Sequence, residues 1–165
     1  MQKRTIVTVI AVIVLVAAWY AFRPERLFIN ETVNEAFPLP ATTQAAATPA
    51  QPVLLSMGRF HDGAHKTSGS ASIYRLPEGK RFLRLSEFET SNGPDVQVYL
   101  VAAPDATDNA TVTSAGFVNV GALKGNKGDQ NYDLPSDLDA SKYRAVTIWC
   151  RRFGVNFGTA PLILN

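Results

Sequence analysis

An uncharged apolar run near the N-terminus constrains this chain more than any other feature of its sequence. Residues Thr5–Phe22 read TIVTVIAVIVLVAAWYAF, which is 18 residues without a charged side chain. As a helix that rises about 1.5 Å per residue, the run is about 27 Å long, close to the bilayer hydrocarbon thickness of about 30 Å. The pattern predicts a transmembrane helix over residues 5–22.

A cleaved secretory signal peptide is the competing interpretation of the same run. Signal peptides have an apolar region of about 7–15 residues, followed by small residues at the cleavage site. Here the apolar run is longer, and Ala17-Ala18-Trp19 makes a poor cleavage site. We therefore predict an uncleaved signal-anchor over residues 1–26, with its N-terminus in the cytoplasm.

Charge is concentrated at this end of a chain whose net charge is +2. Because both flanks of the apolar run are basic, the positive-inside rule does not orient the helix. The rest of the chain is close to neutral, so the sequence predicts no nucleic-acid partner, which would need a clustered basic face. The basic flanking residues are Lys3, Arg4, Arg23 and Arg26.

Residues 27–52 separate the anchor from the globular part. All 11 glycines lie at or after Gly58, so the composition changes beyond this segment. Leu27–Phe37 is mildly amphipathic, and we predict a juxtamembrane connector that lies at the membrane surface or forms a helical turn. Pro38–Pro52 combines proline with Ala, Thr and Gln and carries no charge, which predicts an extended spacer that holds the domain off the membrane.

From residue 53 to 165, short apolar runs alternate with turn signals, which predicts one all-β domain. Such a pattern is typical of an antiparallel β-sandwich or a barrel-like fold. Around Val98 and Ile148 the apolar residues alternate with the period of two that a half-buried strand needs, and no long helix is predicted. The predicted strands are 53–60, 70–76, 81–90, 95–101, 117–123, 144–151, 155–157 and 161–164.

Cys150 is the chain's one cysteine and its candidate redox residue. It cannot form an intramolecular disulfide or a Cys-only zinc site. As a thiolate it could be oxidised or could ligate a metal, and the neighbouring Arg151 and Arg152 favour that form. The alternative is that Cys150 shares an inward face with Val146 and Ile148 and packs as a small hydrophobe.

Two histidines complete the set of candidate ligands. His65 together with Cys150 would suit copper, zinc or haem iron by ligand type, so haem and copper are the cofactors considered. His61 lies four residues earlier, but Gly63 between them indicates a loop rather than a chelating helix. The alternative is that both histidines are hydrogen-bonded turn residues, because two ligands do not define a site.

Other polar motifs have simpler interpretations. Asp95 after Gly93-Pro94 is expected to cap a turn through local backbone hydrogen bonds. Gly125-Asn126-Lys127-Gly128 lacks the full phosphate-loop spacing, which indicates a glycine-rich turn. There is no recognisable Ser/His/Asp arrangement and no motif with paired carboxylates, so the sequence leaves open whether the protein is an enzyme.

Strings distributed over the globular part carry a family resemblance. In this order and spacing, the chain resembles the DM-thirteen domain, also called the electron-transfer DM-thirteen domain, over about residues 54–164. The resemblance implies an extracytoplasmic β-rich module with a redox role centred on the family's cysteine, which is Cys150 here, and it implies a separate redox partner protein. The strings include GRF at 58–60, HKTSG at 65–69, LRLSEF at 83–88, NGPDVQVYL at 92–100, LKGNKGDQNY at 123–132 and VTIWCRRF at 146–153.

The sequence is therefore compatible with two functions. The first is a single-pass cell-membrane protein, anchored through residues 5–22, whose extracytoplasmic domain transfers electrons at Cys150. The second is a non-enzymatic adhesion or scaffolding domain in which Cys150 is a packing residue.

Overall fold

The computed structural model describes residues 2–22, 29–38, 51–139 and 141–165. Helix α1 (Gln2–Phe22) covers the predicted span, and its window Lys3–Tyr20 is long and apolar enough to cross a membrane. A signal sequence near the N-terminus meets the same criterion. Residues 23–28 and most of the Pro-rich segment, 39–50, lie outside the described residues.

The domain is a sandwich of two five-stranded antiparallel sheets. Its strands are β1 (Val53–Arg59), β2 (His61–Asp62), β3 (Ser68–Arg75), β4 (Arg81–Glu89), β5 (Val96–Val101), β6 (Phe117–Ala122), β7 (Lys127–Leu134), β8 (Ala145–Cys150), β9 (Val155–Pro161) and β10 (Ile163–Leu164). Sheet A has the order β10-β1-β3-β4-β7, and sheet B has the order β2-β9-β8-β5-β6. The all-β prediction is confirmed, and the fold is a sandwich rather than a closed barrel.

The core lies between the two sheets and follows the predicted alternation. Along β5 and β8 the apolar residues of one face enter the core, because successive side chains of a strand point to opposite sides. The outer face of sheet B carries a second, smaller cluster around Trp149 and Tyr99, covered by the six-residue helix α2 (Asn109–Ser114). The core residues from β5 and β8 are Val96, Val98, Leu100, Val146, Ile148 and Cys150.

Residues 29–38, which we call the strap, lie along the outer edge of β7. The strap runs parallel to β7, with a bridge between Thr32 and Lys127. Val33 N donates to Lys127 O at 3.0 Å, Lys127 N donates to Glu31 O at 3.2 Å, and Glu35 N donates to Asp129 O at 2.9 Å. The described part of the predicted juxtamembrane connector is therefore extended rather than helical, and it is hydrogen-bonded to the domain.

Side chains fix the strap as firmly as its backbone does. The Glu35 carboxylate accepts from Lys124 Nζ at 2.7 and 2.9 Å and from Asn131 N at 2.6 Å. The Phe37 ring packs edge-on against Tyr74 and Phe82, with ring centroids 5.0 and 5.4 Å apart. Hydrogen bonds at one end and aromatic packing at the other hold the strap along the length of β7.

The glycine-rich turn before and at the start of β7 makes room for the strap. A Cβ atom on Gly125 would lie 2.5 Å from Glu31 O, and one on Gly128 would lie 2.2 Å from Val33 O. Gly128 also has a positive φ of 93°, which glycine adopts without strain. The interpretation of this motif as a turn agrees with the structure, and its glycines allow a close backbone approach.

Candidate functional site

Cys150 is the last residue of the central strand β8. It is paired with Val96 on β5 and with Val155 on β9, so it has a strand on each side. Its exposed fraction is 0%, and it belongs to the core between the sheets. The sulfur is therefore surrounded by apolar packing rather than by water.

A polar cleft of about 600 Å³ opens at the end of the sandwich where β5 begins and β7 begins. One wall is the start of the strap, and the others are the loop from β4 to β5 and the loop from β6 to β7. Asn126 joins two of these walls, because its Nδ2 donates to Asn30 Oδ1 at 2.9 Å and to Thr90 O at 3.1 Å. The wall residues include Ile29, Asn30, Glu31, Asn92, Lys124 and Asn126.

Val96 lies between this cleft and the core around Cys150. It lines the cleft, it is 8% exposed, and its side chain belongs to the same core cluster as Cys150. Opposed residues of an antiparallel pair have Cβ atoms about 4.5–5.5 Å apart. Gly93 lets the loop close over Val96, since a Cβ atom there would lie 2.7 Å from Val96 Cγ2. The side chain of Val96 is therefore the barrier between the cleft and the Cys150 sulfur.

The two arginines that follow Cys150 lie in the turn from Arg151 to Gly154, and both are exposed. Arg151 Nε donates to Asp95 Oδ2 at 2.8 Å, and Gln97 Nε2 donates to Asp95 Oδ1 at 2.7 Å. Asp95 therefore anchors the turn after Cys150 by its ion pair with Arg151 and by its backbone carbonyl, which accepts from Arg151 N at 2.9 Å. Its bond to Gln97 lies within the start of β5, and its side chain contacts these two side chains in place of the local backbone bonds predicted. Because β8 ends at Cys150, Arg152 is not on a strand face that it shares with the cysteine.

The histidines lie on the loop and short strand beside β9. The His65 ring is half-buried on Phe157, with ring centroids 3.9 Å apart, and its backbone N donates to Phe157 O. His61 Nε2 is 2.9 Å from Asp105 Oδ1. Among the described residues there is no group of three or more His, Cys, Asp or Glu that could hold a metal.

The residues present fit a resident metal or haem poorly. One potential ligand, Cys150, is enclosed by valine and isoleucine side chains, and the other, His65, is stacked on an aromatic ring. A stable site needs several ligands with their own hydrogen-bonded support. A role for these two residues as ligands of haem or copper therefore stays a prediction from the sequence.

Sequence reasoning missed the cleft. Its walls come from three segments that are far apart along the chain, namely the strap and two loops. The available signal was a concentration of Asn, Gly and Pro in 91–94 and of Gly, Asn and Lys in 124–128. Turn composition of this kind predicts loops but not which loops meet.

Comparison with known families decides which group of proteins this fold and cysteine belong to. Residues 59–162 match the family model described as Electron transfer DM13, which is more than half of the chain. The chain belongs to this family. No curated protein and no solved structure matches the chain. The predicted resemblance is confirmed. Because the DM13 match begins at Arg59, it includes Cys150 and two walls of the cleft but not the strap.

Proposed function

We propose that this protein is a membrane-tethered DM13 domain that takes part in electron transfer outside the cytoplasm, with Cys150 as its redox group. Family membership supports the electron-transfer role, and helix α1 supports the tether. The observation that carries the assignment to Cys150 is its pairing with Val96, which lines the polar cleft. A partner in the cleft would be separated from the sulfur by one valine side chain.

The proposed chemistry is a one-electron oxidation of the Cys150 thiol. The S–H bond breaks, the electron passes to a one-electron acceptor on the partner, such as ferric iron or Cu(II), and the proton passes to a water molecule that enters from the cleft when the Val96 side chain moves aside. The products are a sulfur radical on this chain and the reduced metal on the partner. Burial protects such a radical from a second thiol, because the sulfur has no exposed surface.

A second function is favoured by the same burial. Cys150 is packed with Val146 and Ile148 in the way that free cysteines often pack in protein cores. On that basis, the sandwich is an adhesion or scaffolding domain, the cleft binds a partner without redox chemistry, and Cys150 contributes only to stability. The two functions predict different effects of removing the Cys150 sulfur: the first predicts loss of electron transfer, and the second predicts a change in stability alone.

The test uses the full chain in nanodiscs with ferricyanide as the one-electron oxidant. We expect the wild-type protein to reduce ferricyanide and Cys150→Ala to lose this activity. Val146→Ala is the matched control, since it removes apolar volume from the same face of β8 and leaves the sulfur in place. Equal reduction of ferricyanide by Cys150→Ala and wild type would reject Cys150 as the redox group and favour the scaffold function.

A further inference from the structure

We infer that the cleft end of the sandwich faces the bilayer, held there by the strap, and that the partner at the cleft is a protein embedded in the same membrane. The cleft end is the end that carries the loop of residues 90–95, and the far end is the end that carries the hairpin of residues 76–80. The inference rests on the proposed membrane tether, and it adds to that proposal an orientation and a class of partner.

The direction of the strap gives the first step. Its start is at the cleft, where Asn30 Oδ1 accepts from Asn126 Nδ2 and Ile29 O accepts from Asn92 Nδ2. Its end is at the far end, where Phe37 packs on Tyr74 and Phe82. Because the membrane helix precedes the strap in the chain, the bilayer lies on the side from which the strap starts.

The length of chain between helix and strap limits how far the cleft can be from the bilayer. Helix α1 ends at Phe22, and the strap is described from Ile29. The seven intervening Cα steps span at most about 25 Å when fully extended, at about 3.6 Å per step. Strand β4 runs from the far end to the cleft end and is about 30 Å long. With the cleft end toward the bilayer, the far end is therefore about 30 Å farther from the bilayer than the cleft end is.

The Pro-rich segment does not add to this distance. Phe37, near its start, packs on Tyr74, and Tyr74 is paired with Leu54 on β1, just after its end. Both ends of the segment are therefore attached at the far end of sheet A. The inference therefore differs from the sequence-based expectation that this segment is a spacer between membrane and domain.

The class of partner follows from position and charge. A cleft that faces the bilayer at short range is accessible to a membrane-embedded protein that diffuses in the same plane. Soluble redox partners are commonly guided by complementary fields of charge, but this chain outside its N-terminal segment is close to neutral. Confinement to one membrane would replace electrostatic steering as the source of frequent encounters.

Docking of the strap is tested by a disulfide in the full chain, reconstituted in phosphatidylcholine vesicles and carrying Cys150→Ala so that only introduced thiols react. Thr32 and Lys127 are bridged across the strap and β7, and neighbouring strands lie within the Cα separation that a disulfide needs. We expect the pair T32C and K127C to form a disulfide within one chain. A covalent dimer, or no disulfide, would overturn the inference, and T32C with K66C is the control pair that should not react.

Orientation is tested with a fluorophore on S91C, at the cleft, or on E78C, at the far end, in the same background. The vesicles contain a phosphatidylcholine whose head group carries a quencher. We expect the label at residue 91 to be quenched several-fold more than the label at residue 78. Equal or reversed quenching would overturn the orientation alone, whereas no quenching of either label would overturn the tether and the inference together.

Gly125→Ala provides a variant that removes the strap from β7. The added Cβ atom would meet Glu31 O at 2.5 Å, whereas the backbone of Gly125 itself does not have a positive φ. With the strap displaced, the alanine is tolerated and the sandwich keeps its fold. We expect this variant to lose the T32C–K127C disulfide and the difference in quenching, and retention of both would contradict the role of the strap.

Discussion

Val96 lies directly opposite Cys150 in the ladder between β5 and β8, and the same valine lines the polar cleft. No other pairing partner of Cys150 lines that cleft, since Val155 on β9 is not among its wall residues. The size of one side chain on β5 therefore sets how readily a reagent in the cleft reaches the sulfur.

Shortening Val96 should open a route to the thiol. We expect Val96→Ala to speed the reaction of Cys150 with a small maleimide by tenfold or more under native conditions. Val98→Ala is the matched control, because Val98 is on the same face of β5 and 0% exposed but does not line the cleft. Both changes should cost about 1–3 kcal/mol of stability, so equal labelling of the two variants would show that the reagent enters through global opening instead.

Strap docking should depend on pH through Glu35. Burial acts to raise the pKa of this carboxyl, but hydrogen bonds from Lys124 and Asn131 and the charges of Lys124 and Arg84 lower it below its ordinary value. The resulting stabilisation is present above the ordinary pKa of about 4.3 and is lost as pH falls through the lowered value. Hydrogen exchange of the Val33 and Glu35 amides should accelerate in acid relative to core amides, and Glu35→Gln should remove that acid dependence.

The aromatic end of the strap makes a separate contribution. Removing the ring of Phe37, which is half-buried on Tyr74 and Phe82, should loosen the strap by about 1–3 kcal/mol. We expect Phe37→Ala to raise exchange at strap amides while the sandwich amides keep their protection. Phe153→Ala is the control, because Phe153 is 65% exposed and its removal should change neither set.

His61 should titrate above an ordinary histidine. Burial acts to lower its pKa, but the hydrogen bond to Asp105, the Asp62 carbonyl and the two carboxylate charges raise it above about 6.5. Stabilisation from this pair is fully present below the ordinary pKa and is lost as pH rises through the raised value. An NMR titration of the His61 ring should show the raised pKa and its return toward 6.5 in Asp105→Asn; no change in that variant would contradict the pairing.

The sandwich was predictable where apolar and polar residues alternate along a strand, although every residue of β5 and β8 proves to be buried. Alternating apolar residues in β5 and β8 predicted both strands and the faces they turn inward, and Cys150 lies on the predicted face. Strand β7 was missed because its sequence, KGDQNYDL, is polar apart from its last residues. Its core-facing members include Gln130, which is 0% exposed and satisfied by Lys124 N and Gly125 O. Composition does not reveal a buried amide whose partners lie in a neighbouring loop.

The strap was missed for a related reason. Val33, Glu35 and Phe37 alternate with exposed residues. Because the middle residue of the three is a glutamate, the sequence of the strap is typical of a solvent-exposed segment. What makes Glu35 compatible with docking is Lys124, which is 89 positions away in the chain. Long-range pairing of this kind has no local signature, and the same holds for the ion pair between Asp95 and Arg151, which are 56 positions apart.

The attachment of the strap to β7 has a consequence for proteolysis. A protease that cuts the Pro-rich segment between residues 39 and 50 would separate the chain into an N-terminal piece that ends with the strap and a domain piece that begins near β1. The pieces would still be joined by the backbone hydrogen bonds to Lys127 and Asp129, by Glu35 and by Phe37. Separation of the two pieces would therefore take two events, a cut and then a dissociation, and acid that protonates Glu35 would hasten the second.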